Sequence, residues 1–208
     1  MLKNYPGIYT DFYELTMAQG YFLSGRKQDT ACFDYFFRKL PFKGGYAVFA
    51  GLGDLLDILK NYTFGNEEIE YLRTQGFKDE FLNYLRSFRL SCNIHSVKEG
   101  EIVFNNTPLV RVQGNIIETQ IIETLLLNIL NFESLIATKA SRLKQVAGEK
   151  AVLDFGLRRS QGFGGIQASK ASIIGGINGS SNVYAGLEYG LDVSGPWLIP
   201  GFNHFRTN

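Results

Sequence analysis

Through residues 11–23 apolar side chains return at helical spacing: Phe12, Leu15, Ala18, Tyr21 and Phe22 share roughly one face. Thr10 or Asp11 can cap this helix, and Glu14 stands three residues after Asp11. Tyr13 and Glu14 fall off the stripe. Residues 30–39 alternate and are rich in aromatics, which predicts a strand. A turn at 41–45 leads to a second strand at 46–50, and Gly51-x-Gly53 opens a helix over about 54–61. Asn66 is placed to cap a further helix, with Glu67 and Glu68 in its first turn and Gly76 past its last. Lys78 to Phe88 sets Phe81, Leu82, Leu85 and Phe88 on one helix face. Residues 91–97 and 101–112 read as strands joined at Lys98-Glu99-Gly100. The longest helical pattern, 115–148, starts with Asn115 and Glu118 as a capping box. Its stripe is wide (Ile117, Ile121, Leu125 and Ile129, with Ile122, Leu126 and Leu130 beside them), so two surfaces bury it. Asn131 is the expected break.

At Ala151 the pattern changes. An apolar run turns polar at Asp154-Phe155-Gly156-Leu157-Arg158-Arg159, and a Gly-rich loop, Gln161 to Gly165, follows. Small residues from Ala168 to Ile174 lead to Gly175-Gly176-Ile177-Asn178-Gly179-Ser180-Ser181-Asn182-Val183, then to a short strand at 191–195. The series is strand, loop, helix, strand, loop, helix, strand, which predicts parallel neighbours with chemistry at the strands' C-terminal ends.

Composition narrows the classes. The 208 residues are 45% hydrophobic and 20% charged, with net charge +1, enough for one large domain or two small ones. Near-neutral charge gives no electrostatic reason to expect nucleic acid or an anionic membrane. No apolar run is long enough to span a bilayer. Cys32 and Cys92 stand apart in unlike contexts, so a reduced, cytoplasmic protein is the expectation. His95 has no second metal ligand at metal-like spacing, and no metal site is expected.

The stretch 154–183 suggests a site for a flat anion. Phe155 offers a ring face, and Arg158 and Arg159 offer forked donors for phosphate or carboxylate. The glycines let backbone N–H groups come close to such a ligand. Tyr13 reads from its position alone as a half-buried helix aromatic. Arg38 and Lys39 read equally well as an exposed strand end or as anion ligands.

Asp154 to Gly162 and Gly175 to Gly186 resemble the nicotinate phosphoribosyltransferase family. Thr10-Asp11-Phe12-Tyr13-Glu14-Leu15-Thr16-Met17-Ala18 is similar to that family's opening motif, and Phe36-Phe37-Arg38-Lys39 followed by Ala50-Gly51-Leu52 agrees. The resemblance implies an N-terminal α/β domain plus the first part of an incomplete α/β barrel of the type II phosphoribosyltransferase kind. It divides the chain into 1–114, bridging helices at 115–150, and barrel elements at 151–195. It implies a head-to-tail homodimer that joins nicotinate to phosphoribosyl pyrophosphate, assisted by ATP and Mg through a phosphorylated His. Carried over by position, Phe155 and Tyr13 sandwich the pyridine, Tyr13 from the partner subunit. Arg38, Arg158 and Arg159 bind phosphate groups. Ser181 stands where the sister nicotinamide-using family has Asp; a hydroxyl donates to the nicotinate carboxylate, whereas a carboxylate repels it.

The resemblance stops at Gly195. There the family continues Thr-Met-Ala-His-Ser-Trp, with the catalytic His, whereas this chain reads Pro196-Trp197-Leu198-Ile199-Pro200-Gly201. One inserted base after the Gly195 codon lets legal codons for 196–201 spell the family motif. Residues 196–208 are therefore expected to be a frameshifted tail, with no catalytic residue present and no activity from the chain alone. The alternatives are a non-catalytic remnant that binds a ligand or partner, and a related enzyme using nicotinamide or quinolinate.

Overall fold

The computed structural model describes residues 5–195, so the expected tail at 196–208, His204 included, lies outside the described residues. The chain forms two compact units that interleave in sequence. One comprises residues up to Lys39, Leu52–Lys98 and Asn105–Asn131; the other comprises Leu40–Gly51, Glu99–Phe104 and residues from Phe132 on.

In the first unit α1 (Phe12–Leu23) precedes β1 (Thr30–Tyr35). The predicted strand ends at Tyr35, four residues short of Lys39, and Arg38 and Lys39 sit in a bend. Three helices follow: α2 (Leu52–Leu59), α3 (Asn66–Thr74) and α4 (Asp79–Arg86). The N-cap of α3 is Gly65, not Asn66, because Glu68 reaches back to accept the Gly65 N–H. Past its end Gly76 takes φ 88°, a left-handed turn that suits glycine. The unit's sheet is antiparallel, with β5 (Val110–Asn115) between β1 and β3 (Asn93–Ser96). Register pairs Tyr35 with Val110 and Asp34 with Arg111. Alternation therefore buries Tyr35, Val110 and Val112 and turns Asp34 and Arg111 out, where they form a two-bond ion pair at 2.7 and 2.8 Å.

The hairpin expected from residues 91–97 and 101–112 does not form. Asn106 adopts φ 56° and Pro108 lacks an N–H, so the second run splits into β4 (Ile102–Val103) and β5. Helix α5 (Ile116–Ile121) starts where predicted, with the Asn115 carboxamide accepting the Ile117 N–H at 2.9 Å. The capping box is incomplete: Glu118 instead accepts the Ser91 N–H at 2.7 Å and the Ser91 hydroxyl at 3.0 Å. The break falls at Ile122, before α6 (Glu123–Ala147), and not at Asn131. Asn131 stays helical because its side-chain oxygen accepts the Tyr35 hydroxyl at 3.0 Å.

In the second unit β2 (Ala47–Val48) pairs antiparallel with β4. The remaining N–H groups around β2 find hydroxyls on α6: Val48 donates to Thr138 at 2.9 Å and Ala50 donates to Ser134 at 3.0 Å. Helix and strand thus satisfy one another without water. The barrel elements follow: β6 (Leu153–Asp154), α7 (Gly164–Ile174), β7 (Gly179–Ser180) and α8 (Val183–Tyr189). β6 and β7 are parallel, and Ser180 makes a further parallel bridge to Val193. This is the predicted alternation. The end of α7 packs directly on α6, where a Cβ on Gly175 would lie 2.3 Å from the Ala137 carbonyl oxygen.

Candidate functional site

The site begins where β6 ends. Asp154 is held by three donors to its two carboxylate oxygens: the Gly156 N–H at 2.8 Å, the Ser169 hydroxyl at 2.8 Å and the Ser180 hydroxyl at 2.9 Å. Each serine is completed by Asn182. Its side-chain amide donates to Ser169 at 3.1 Å, and its backbone N–H donates to Ser180 at 3.1 Å. The Asn182 side-chain oxygen then accepts the Ala185 N–H at 3.1 Å and caps α8. Ser169, Ser180 and Asn182 are buried. One network thus ties β6, α7, β7 and α8 together, and such networks are rigid when every donor and acceptor is matched.

The chain turns out of this anchor. Phe155, next to Asp154, is 39% exposed, and the 3-10 turn Leu157–Arg159 follows. Arg158 and Arg159 are exposed. Arg159 Nη1 lies 3.4 Å from the Phe155 carbonyl, and among the described residues no hydrogen bond or ion pair engages Arg158. Ser181 follows β7, and its N–H donates to the Asp154 carbonyl at 2.9 Å, which sets it beside the root of Phe155. Among the described residues its hydroxyl has no partner. An aromatic ring, two guanidinium groups and a hydroxyl therefore follow the C-terminal ends of two neighbouring parallel strands. This is where α/β folds gather binding groups.

Two expectations change. The Gly-rich loop does not offer a row of free N–H groups: those of Gly164, Gly165 and Ile166 donate to the carbonyls of Gln161, Gly162 and Phe163 as α7 starts. The glycines serve close packing instead, since a Cβ on Gly165 would lie 2.9 Å from Leu157 and 3.0 Å from Ser160. The arginines and Ser181 are thus the principal donors here. Asp154, Ser169, Ser180 and Asn182 were not singled out from the sequence as individual residues. The hydroxyl and amide cluster around Ser180 was the visible signal, but its carboxylate and Ser169 lie 26 and 11 residues away from Ser180.

Tyr13 and Arg38 belong to the other unit. Tyr13 lies in the first turn of α1 and is 50% exposed. Its hydroxyl is pushed above the ordinary phenol range, first by partial burial and then by Glu123, Glu14 and Asp11. Arg38 is exposed, and among the described residues its guanidinium has no partner. Beside Tyr13 the helix stripe is rotated from the one predicted: Glu14 is buried and Phe12 is exposed.

The parallel β6–α7–β7–α8 series with this polar rim defines the class, an α/β phosphoribosyltransferase of the type II kind, here in its N-terminal portion. The crystal structure of human nicotinic acid phosphoribosyltransferase matches with a TM-score of 0.84 and 40% identity, over 89% of this chain and 38% of that one. A nicotinate-nucleotide pyrophosphorylase from Pyrococcus furiosus shares the fold, with a TM-score of 0.74 at 24% identity, over 91% of this chain and 41% of that one. The family profile for the nicotinate phosphoribosyltransferase (NAPRTase) N-terminal domain matches residues 8–131. The chain belongs to the nicotinate phosphoribosyltransferase family. The Bacillus subtilis nicotinate phosphoribosyltransferase is 43% identical over 190 residues, 90% of this chain and 39% of that protein. The Caenorhabditis elegans one is 44% identical over 192 residues, 89% of this chain and 34% of that protein. The chain thus spans about two fifths or less of these relatives' length.

Proposed function

We propose that this chain carries the pyridine-binding part of a nicotinate phosphoribosyltransferase. In that reaction the ring nitrogen of nicotinate bonds to the anomeric carbon of phosphoribosyl pyrophosphate, and pyrophosphate leaves as nicotinate mononucleotide forms. The observation that carries the reading is the cluster of Phe155, Arg158 and Ser181 on two adjoining strand ends, with the Arg158 guanidinium and the Ser181 hydroxyl unengaged among the described residues. Phe155 stacks one face of the pyridine and Tyr13 of a second copy stacks the other. Ser181 donates to the nicotinate carboxylate. Arg158, Arg159 and Arg38 take phosphate oxygens, a task for forked cationic donors.

ATP and Mg belong to the complete family reaction in this reading. Among the described residues no group of three or more His, Cys, Asp or Glu is placed to hold a metal ion. The one histidine among the described residues, His95, is exposed on β3. We read the 208 residues as inactive by themselves. The free thiols of Cys32 and Cys92 suit a cytoplasmic protein, and among the described residues no helix is long and apolar enough to cross a membrane.

The test is conversion of labelled nicotinate to nicotinate mononucleotide with phosphoribosyl pyrophosphate and ATP. We expect none from the 208 residues, and turnover when residues 1–195 are continued by the C-terminal part of the Bacillus subtilis relative. Turnover by the chain alone would overturn the inactivity. A folded, completed chain that binds nicotinate no better than an unrelated carboxylate would overturn the function.

A further inference from the structure

Glu14 follows Tyr13 on α1 and is completely buried, at 0% exposure. Among the described residues no cation meets its carboxyl; burial pushes it above the ordinary carboxylate range, opposed by hydrogen bonds from Thr10 and Thr124. A buried acid without a cation is held by hydrogen bonds, and these can be counted. The Thr10 hydroxyl lies 2.6 Å from Glu14 Oε2 and 3.2 Å from the carbonyl of Ile121, the last residue of α5. The Thr124 hydroxyl lies 2.7 Å from Glu14 Oε1 and 3.0 Å from Asp11 Oδ2, and it already accepts the Asp11 N–H at 3.2 Å.

Each hydroxyl has one proton. Four oxygens (both of Glu14, one of Asp11 and the Ile121 carbonyl) therefore compete for two hydroxyl protons. If Glu14 is ionised and takes both, the Asp11 carboxylate faces a bare oxygen and the Ile121 carbonyl loses this donor. A proton on Glu14 removes one of these two shortfalls. Glu14 then donates to one threonine, and that threonine passes its own proton to Asp11 or to Ile121. These bonds join the N-terminus of α1, the end of α5 and the start of α6.

We propose that Glu14 is a proton-bearing positioning residue for Tyr13, whose carboxyl locks the first turn of α1 onto α5 and α6 and so fixes where the Tyr13 ring is aimed. The assignment deepens the proposed pyridine site and rests on Tyr13 belonging to it. Tyr13 is half exposed and lies in the first turn of α1, so its direction follows that turn. The charged and titratable groups around Glu14 are Asp11 and Tyr13 on its own helix, Glu123 on α6, and Tyr62 with Glu68 beyond it. No cation is among them, and the Glu123 charge favours the proton staying on Glu14. The consequence has a definite sign. With its folded-state value raised, Glu14 contributes fully below its unfolded value, and the contribution is lost as pH rises through the folded value.

The test reads the Tyr13 ring and needs no substrate. The 208-residue chain is made with carbon-13 ring-labelled tyrosine, and the Tyr13 signals are assigned by their loss in Tyr13→Phe. We expect these signals to move with pH in the wild type as Glu14 loses its proton. In Glu14→Gln, which keeps a neutral donor, they stay at the low-pH position throughout. In Glu14→Ala they broaden or divide, while those of Tyr46 on the other unit do not change. Should Glu14→Ala fail to fold, Thr124→Val removes one hydroxyl and is expected to displace the Tyr13 signals in the same way. Tyr13 signals indifferent to all these changes, or Glu14→Gln behaving like Glu14→Ala, would overturn the assignment. Absence of turnover in a completed enzyme would count against the reaction instead and leave these ring signals as they are.

Discussion

Two carboxyl groups, one in each unit, do the same kind of work with different proton supplies. Asp154 precedes Phe155, and Glu14 follows Tyr13. Both are bonded by hydroxyls: Ser169 and Ser180 around Asp154, Thr10 and Thr124 around Glu14. Asp154 also receives a backbone N–H from Gly156, and Asn182 fills the remaining serine positions. Beyond the Asp154 carboxylate these serines reach only neutral oxygens, among them the Gly165 carbonyl at 3.1 Å and the Asp154 carbonyl at 3.3 Å. Around Glu14 the Thr124 hydroxyl is shared with a second carboxylate, Asp11, and the Thr10 hydroxyl with the Ile121 carbonyl. The lesson is that hydroxyls around a carboxyl do not define its role; what else those hydroxyls must serve does. A carboxylate with a backbone donor and no charged competitor is a fixed anchor, and one that shares a hydroxyl with a second carboxylate holds a proton and answers to pH.

The comparison breaks most visibly at Asp154. Asp154→Ala leaves the Gly156 N–H without its acceptor and the buried Ser169 and Ser180 hydroxyls with only the longer bonds to the carbonyls of Gly165 and residue 154, at 3.1 and 3.3 Å. We expect a loss of about 2–4 kcal/mol in urea unfolding, since a poorly matched buried donor costs about 1–3 kcal/mol. A loss below about 1 kcal/mol would mean the network is ornamental. Glu14→Gln sharpens the other side. Its unfolding midpoint should be nearly that of the wild type at low pH and higher than the wild type at neutral pH, because Gln has no proton to lose. Parallel pH profiles would remove the proton from the account. In a completed enzyme Arg158→Ala should raise the KM for phosphoribosyl pyrophosphate by about tenfold or more, the worth of one hydrogen bond to a charged group. Ser181→Asp should then weaken nicotinate several-fold more than nicotinamide, and equal losses would refute the carboxylate assignment.

Much of this was legible in the sequence. The parallel series from Ala151 could be read because each strand is a short apolar run closed by polar residues and glycine, and Phe155, Arg158 and Ser181 fall at its strand ends. The amphipathic face of Phe81, Leu82 and Leu85 was equally plain. What failed depended on partners distant in sequence. Glu14 counted as off the buried stripe because nothing local shows that Thr124 awaits it 110 residues on. Asn131 looked like a helix break because the Tyr35 hydroxyl that satisfies it is 96 residues away. The hairpin at Gly100 seemed sound because turn chemistry is local, whereas β4 pairs with β2 and β3 with β5. Polar residues were misread more often than apolar ones, since burial of an apolar side chain needs only a surface and burial of a polar one needs a named partner.

The central claim, that Phe155 presents its ring to a pyridine carboxylate at the end of β6, is tested most directly by nicotinate binding in a completed enzyme carrying Phe155→Ala. Phe155 is substantially exposed, so the variant should fold as the wild type does. Stacking contributes about 0.5–1.5 kcal/mol beyond area burial. The account predicts a several-fold weaker nicotinate affinity with unchanged unfolding. Unchanged affinity, or a loss accounted for by destabilisation, would contradict it.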